Sequence, residues 1–424
     1  MADLVSREAD QIDRNTFKKE RSFRTAITTS DIIEQINKDQ HIQKNQHDEE
    51  IFHTEGNEIE TKAEDKQQKI FQEKKQTDYN SDDEGLLQEN QDKSILENFS
   101  KSSVCSICKS RRPNNECQRK FNYEELEAAT EGFSIMYSLS EGEYGPAFKG
   151  QLDNKLKIAI KKIQVTSLQE EKLFISEVKL LTAARHENLV MLLGSCLREN
   201  KLLIVYEYAC NGSLDQYLSR KSGRLLTWRE RMKIAIGISN GLKYLHDNNI
   251  IHGRVKPSNI LLNHDYTPLL GDFVFRTERH ELKNSCKDKS FRNCGYTAPE
   301  YQESGKLSTK ADVYSFGAVL LELITGCMVS DKISGQKCLI ERARPLLGGR
   351  EYLQLMDPEI SSSYDEEQLA SLVLVTEKCL RKNPKERFTM NMVRKVTEKL
   401  LHVYACVRLS LEAIHQKIKL TETS

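Results

Sequence analysis

Ile251-His252-Gly253-Arg254-Val255-Lys256-Pro257-Ser258-Asn259 is a cation-bearing stretch with no carboxylate inside it; Asp247 and Asp265 flank it from outside. Upstream, Thr227 stands three residues before Glu230. In a Thr-x-x-Glu pair the hydroxyl caps a helix start while the carboxylate reaches back. Ile234, Ala235, Ile238, Leu242 and Leu245 then form one apolar stripe at helical spacing. Downstream, the spacing predicts a second helix from about Thr309 to Thr325. It is apolar almost all round (Val313, Phe316, Val319, Leu320, Leu323, Ile324), which predicts burial, and Gly326 ends it. On the N-terminal side the texture is different. Lys157-Ile158-Ala159-Ile160-Lys161 and Leu202-Leu203-Ile204-Val205-Tyr206 are short and β-rich. The order predicts an α+β chain with a small β-rich lobe followed by a larger helical lobe.

The chain has 424 residues, and its 63 Lys and Arg balance its 63 Asp and Glu. Zero net charge gives no support for a nucleic-acid footprint, which needs a concentrated basic surface. No apolar run is long enough to span a bilayer. Met1-Ala2-Asp3 is not a secretory start, and Ala2 is not the glycine that N-myristoylation requires. Eleven scattered cysteines fit reduced thiols better than a disulfide framework. Residues 1–104 are charged, amide-rich and poor in apolar side chains, so they read as a disordered polar arm. Cys105, Cys108 and Cys117 make half a zinc site at most, since a structural zinc takes four ligands; reduced linker thiols are the preferred reading. Ser102, Ser285 and Ser290 could take a phosphate, but serine is common in loops and none is singled out by its neighbours.

Further motifs follow in order. They are Phe121-Asn-Tyr-Glu-Glu-Leu-Glu-Ala-Ala-Thr-Glu-Gly-Phe133, Leu139-Ser140-Glu141-Gly142-Glu143-Tyr144-Gly145-Pro146-Ala147-Phe148, and Ile158-Ala159-Ile160-Lys161. After them come Val205-Tyr206-Glu207-Tyr208-Ala209, the 251–259 stretch, Gly271-Asp272-Phe273-Val274 and Ala298-Pro299-Glu300. From Phe121 to about Val403 this set resembles plant receptor-like protein kinases, in particular their cytoplasmic members. One glycine-rich loop would be weak evidence; the whole ordered set is strong. The resemblance implies a two-lobed protein-kinase fold with 105–132 as Cys-containing linker and lead-in, 133–403 as the kinase-like domain, and 404–424 as a helical tail.

The resemblance also implies roles. Gly142 and Gly145 would close backbone amides over ATP phosphates, although Ser140 and Ala147 depart from the usual glycine and valine. Ala159 lies in the strand whose Lys161 would pair phosphates and the ion-pair carboxylate Glu177. A solvated strand lysine, as for Lys162, is the bland alternative. Tyr206 would back the adenine pocket, and backbone groups of Glu207 and Ala209 would bond adenine. Lys256 and Asn259 would reach the γ-phosphate and metal, and Asp272 would hold Mg²⁺. Glu300 and Arg387 would pair as scaffold. The departure is Arg254, which stands where the family has the aspartate that accepts the substrate proton. Arginine has no acceptor and keeps its charge. Gly253 replaces the arginine that receives a phosphorylated activation loop, Val274 replaces a glycine, and Asn293 a threonine. The Cys-x-x-Cys and Arg111-Arg112-Pro113 before the lead-in resemble a plant subgroup of inactive kinases.

Three functions are weighed at this level, the first preferred and the second its runner-up. One is a pseudokinase with ATP and Mg²⁺ as expected cofactors, acting through protein partners such as receptor kinases. Another is a weakly active serine/threonine kinase, and the third is a nucleotide-free scaffold. The expected location is cytoplasmic, nuclear or peripheral at the plasma membrane.

Overall fold

Arg119–Lys120 (β1) lies parallel to Leu192–Arg198 (β5) and opens a six-stranded sheet. The order is β1-β5-β6-β4-β3-β2, with β2 Ser138–Gly142, β3 Gly145–Gln151, β4 Lys157–Gln164 and β6 Lys201–Glu207; all pairs after β1 are antiparallel. These coordinates are a computed structural model that describes residues 119–397, apart from 143–144, 154, 165–174, 176–177, 180, 183, 199–200, 273–294, 330–337, 350 and 362. The 1–104 arm, Ser102, Cys105, Cys108, Cys117, Glu177, Val274, Ser285, Ser290, Asn293 and the 404–424 tail lie outside the described residues.

Strand β4 shows why the sheet forms. Its β-branched Ile158 and Ile160 point to one face and are fully buried. The two-residue period of a strand sends Ala159 and Lys161 to the other face, where both are half-buried. The lead-in belongs to this lobe. Helix α1 (Tyr123–Ala129) brings Tyr123 and Leu126 into one core with Phe121, Ile158, Ile160, Leu203 and Val205. The Phe121 amide donates to the Ser195 carbonyl at 3.0 Å, which extends β1 along the sheet edge.

After β6 the described chain is mainly helical, as the sequence predicts: α2 Leu214–Leu218, α3 Trp228–Asp247, α4 Pro299–Ser304, α5 Thr309–Thr325, α6 Leu339–Leu347 and α7 Glu366–Cys379. A two-stranded hairpin, β7 Ile260–Leu262 with β8 Pro268–Leu270, packs on α3. The capping box at Thr227 and Glu230 is present in both directions. Helix α5 is buried along most of its length and ends at Gly326 in the left-handed conformation. No helix among the described residues is long and apolar enough to cross a membrane.

Two buried arginines tie the helical lobe together. Arg387 grips Glu300 with both arms, at 2.5 and 2.6 Å, and also donates to the carbonyls of Lys310, Arg381 and Lys382. Arg231 on α3 pairs with Asp357 at 2.6 Å and donates to the Leu323 carbonyl of α5 at 2.9 Å and to the Leu226 carbonyl at 3.1 Å. Both members of the Arg231–Asp357 pair are 2% exposed. Removing one partner of such a pair strands an uncompensated buried charge and typically costs about 3–5 kcal/mol. Asp357→Ala is therefore expected to destabilise the helical lobe by about that amount, read as a lower denaturant midpoint. A change within experimental error would show that Arg231 is satisfied without its carboxylate.

Candidate active site

The β7–β8 hairpin sets the geometry. Ile260 pairs with Leu270, and the Gly271 amide donates to the Asn259 carbonyl at 2.9 Å. The ladder thus brings the end of the 251–259 loop beside Asp272. Its turn is closed by the Asn263 side chain, whose Oδ1 accepts from the Asp265 amide at 3.1 Å and the Thr267 amide at 2.9 Å. Asn259 itself is buried, and its Nδ2 donates to the Arg254 carbonyl at 2.9 Å.

Asp312 holds the other end of the loop. It lies in the first turn of α5, a helix capped by Ser308, and is 1% exposed. Its carboxylate accepts from the His252 amide at 2.8 Å and the Gly253 amide at 2.7 Å, and meets His246 Nε2 at 2.9 Å. Gly253 takes a φ of 72°, a conformation that glycine adopts without penalty. His252 is fully buried; its Nδ1 accepts from the Arg254 amide at 3.2 Å. Burial lowers its pKa, with the Asp312 carboxylate opposing the shift.

Arg254 turns its guanidinium onto Asp272. Nη1 lies 2.7 Å from Asp272 Oδ2, and Lys161 Nζ bonds the other oxygen, Oδ1. Burial raises the Asp272 pKa, but Lys161 and Arg254 outweigh it and hold the carboxyl below its ordinary value, with Lys256 adding to the same field. Burial also lowers the Arg254 pKa, against the pull of Asp272, from a starting value so high that the group stays charged. Asp272 has a φ of 57°, which aspartate tolerates better than most residues. The two carboxylates that flank the loop in sequence are engaged elsewhere. Asp247 pairs with Lys243 one turn away on α3. Asp265 pairs with Lys233 at 2.9 Å; burial opposes its ionisation, yet Lys233 and Thr267 bring its pKa to about 2.

The residues fit a nucleotide better than a divalent metal. Gly145 pairs with Gly142 where β2 meets β3, and a Cβ at Gly145 would strike the Lys162 carbonyl oxygen, so the turn could close over a phosphate only with glycine there. The register sets Ala147 opposite Lys161 and Ala159 opposite Tyr206, so these positions line one strip of sheet. At the hinge, Tyr206 and Leu261 pack on Val190, Ala209 and Leu269. The Glu207 carboxylate accepts from the Met191 amide at 2.9 Å and the Glu207 amide donates to the Met191 carbonyl at 3.0 Å, which ties the end of β6 to the start of β5. A metal is another matter. Both oxygens of Asp272 already carry a cation, and at about 4 Å and an effective dielectric of about 20, each pair of unit charges repels by about 4 kcal/mol, doubled for a divalent ion. As arranged, Asp272 does not fit Mg²⁺ without displacing Arg254 or Lys161.

Sequence reading placed Lys161, Arg254, Lys256, Asn259 and Asp272 in one site, and the structure brings Lys161, Arg254, Asn259 and Asp272 together, with Lys256 near enough to act on Asp272 electrostatically. It missed His246 and the clamp that Asp312 makes on the loop. Their separation of 60 to 66 residues leaves no local signal.

A family profile described as protein tyrosine and serine/threonine kinase matches residues 133–397. The chain is similar to proline-rich receptor-like protein kinase PERK2 of Arabidopsis thaliana, 38% identical over 290 residues, 66% of this chain and 40% of that protein. It is also similar to two probable serine/threonine-protein kinases of the same plant. PBL17 is 36% identical, covering 66% of each chain, and PBL15 is 36% identical, covering 66% of this chain and 70% of that one. Against the receptor-like relatives PERK2, PERK8 and PERK13 the chain spans less than half their length.

The buried imidazole gives the site a pH signature. Unfolded, His252 takes up a proton near pH 6.5; folded, it resists until a lower pH. Its contribution is complete above about pH 6.5 and is lost as the pH falls toward the folded value. The urea midpoint is expected to drop between about pH 7 and about pH 5, and to drop less in His252→Gln. Equal slopes in the two proteins would place the titrating group elsewhere.

Proposed function

Because the chain belongs to the protein tyrosine and serine/threonine kinase family, we propose that it is a kinase-fold signalling protein with impaired phosphoryl transfer, a member of the inactive subgroup of plant receptor-like cytoplasmic kinases that works through protein partners. The observation that carries this reading is the Arg254 guanidinium at 2.7 Å from Asp272, at the place where a proton acceptor belongs. ATP is the expected ligand. Gly142, Gly145, Ala159 and Lys161 would take its phosphate side, Glu207 and Ala209 its base, and Glu177, Lys256 and Asn259 the supporting contacts. The domain limits 133–403 and the receptor-kinase class of partner belong to the same proposal.

A second reading has its own support. The relatives carry the names of serine/threonine kinases, and phosphoryl transfer depends largely on positioning and electrostatics, so a missing base slows it without forbidding it. In that reading the protein is a slow serine/threonine kinase acting on protein substrates.

Turnover decides between them. The full chain, Arg254→Asp and the blank Lys161→Met would be incubated with radiolabelled ATP, metal and a generic protein substrate. Loss of a positioned base typically costs about 10²–10⁴ in rate, so Arg254→Asp is expected to exceed the parent by at least about 10². A parent rate equal to the Lys161→Met blank supports the impaired reading, a rate above the blank but well below Arg254→Asp supports the slow kinase, and a rate in the ordinary kinase range of about 1–100 s⁻¹ that Arg254→Asp does not raise removes both.

A further inference from the structure

The two cations on Asp272 point to a departure in how the nucleotide is held, an inference that rests on the nucleotide reading above. We infer that Arg254 takes the place of a divalent cation, so that the site binds a nucleoside triphosphate through the Arg254 guanidinium and the Lys161 ammonium without a metal ion.

Three observations carry it. The carboxylate that would hold a metal is engaged on both oxygens, by Lys161 at Oδ1 and by Arg254 at 2.7 Å from Oδ2. Charge balance agrees: a guanidinium in place of a carboxylate at position 254 changes the local charge by two units, the charge of one divalent cation. Lys161, Arg254 and Lys256 all act on Asp272, and cations gathered at one place are what a polyphosphate needs from its site. Finally, the cluster is reachable. The side chains of Arg254, Lys161 and Asp272 keep 10%, 17% and 27% of their exposure, so the group is not sealed in the core. The planar fork of a guanidinium matches phosphate oxygens two at a time, as a metal bridges them.

The role of Asp272 is thereby inverted. In a metal-dependent site it binds the cation that binds the phosphates, and its loss weakens the complex. Here it competes with the phosphates for Arg254 and Lys161, and its loss strengthens metal-free binding.

The test is ATP titration of the full chain, by calorimetry and by shift in melting temperature, once in EDTA and once in excess Mg²⁺. Binding in EDTA is expected to be at least as tight as in Mg²⁺. Asp272→Asn is expected to tighten it, Arg254→Gln to weaken it by at least about tenfold, and Arg254→Lys, which keeps the charge but not the fork, to weaken it by less. Arg254→Asp is expected to bind only when Mg²⁺ is present. The ligand-free melting temperature of each variant shows that it folds. Binding that needs Mg²⁺, absence of ATP binding in both buffers, or weaker EDTA binding by Asp272→Asn would each overturn the inference. The outcome is separable from the functional proposal: a parent that binds ATP in EDTA yet turns over rapidly with metal would remove the impaired-kinase reading and leave this one standing.

Discussion

The site hangs on one buried carboxylate. Asp312, in the first turn of α5, accepts the amides of His252 and Gly253 and meets His246 of α3. A helix N-terminus is a favourable place for a negative charge, and hydrogen bonds to a charged acceptor are among the stronger ones in a protein. Two helices and a loop are joined at one point. From there the chain passes Arg254, whose carbonyl is held by Asn259, and enters the hairpin that delivers Asp272. The loop is held through backbone amides, so it keeps its shape whatever side chain stands at 254. The side chain of Arg254 takes no part in that anchoring.

The two halves of the molecule differ in what they preserve. In the helical lobe the Glu300–Arg387 fork and the Arg231–Asp357 pair keep buried charges fully partnered, the condition under which such charges are tolerated. In the site the pairing is denser: Lys161 and Arg254 both bond the one carboxylate of Asp272. Fold and chemistry rest on separate residues, so a kinase fold does not by itself set a rate of turnover.

Much of the architecture was legible because it is written locally. The capping box at Thr227, the buried helix ending at Gly326 and the strand around Ile158 and Ile160 depend on spacings of a few residues. That an arginine stands at 254 is a matter of residue type and is read directly from the sequence. Where the arginine points was not: Arg254 and Asp272 are 18 residues apart and meet only because a hairpin folds between them. Lys161 was expected to pair with Glu177, which lies outside the described residues, and the structure joins it to Asp272, 111 residues away. Arg231 and Asp357, separated by 126 residues, carried no signal at all. The lead-in, expected as a linker, contributes Phe121, Tyr123 and Leu126 to a core, because an aromatic pair at alternate positions finds a sheet to cover.

That lead-in has a consequence for the protein's behaviour as a solute. Strand β5 would otherwise be the open margin of the sheet, a row of unpaired amides and carbonyls that invites another chain to dock and aggregate. Arg119 and Lys120 close part of it, and the Phe121 amide takes the Ser195 carbonyl beyond them. A chain cut at the start of the profile match, residue 133, would bare both this margin and the apolar patch beneath α1. Its insolubility would be a property of the cut, not of the domain.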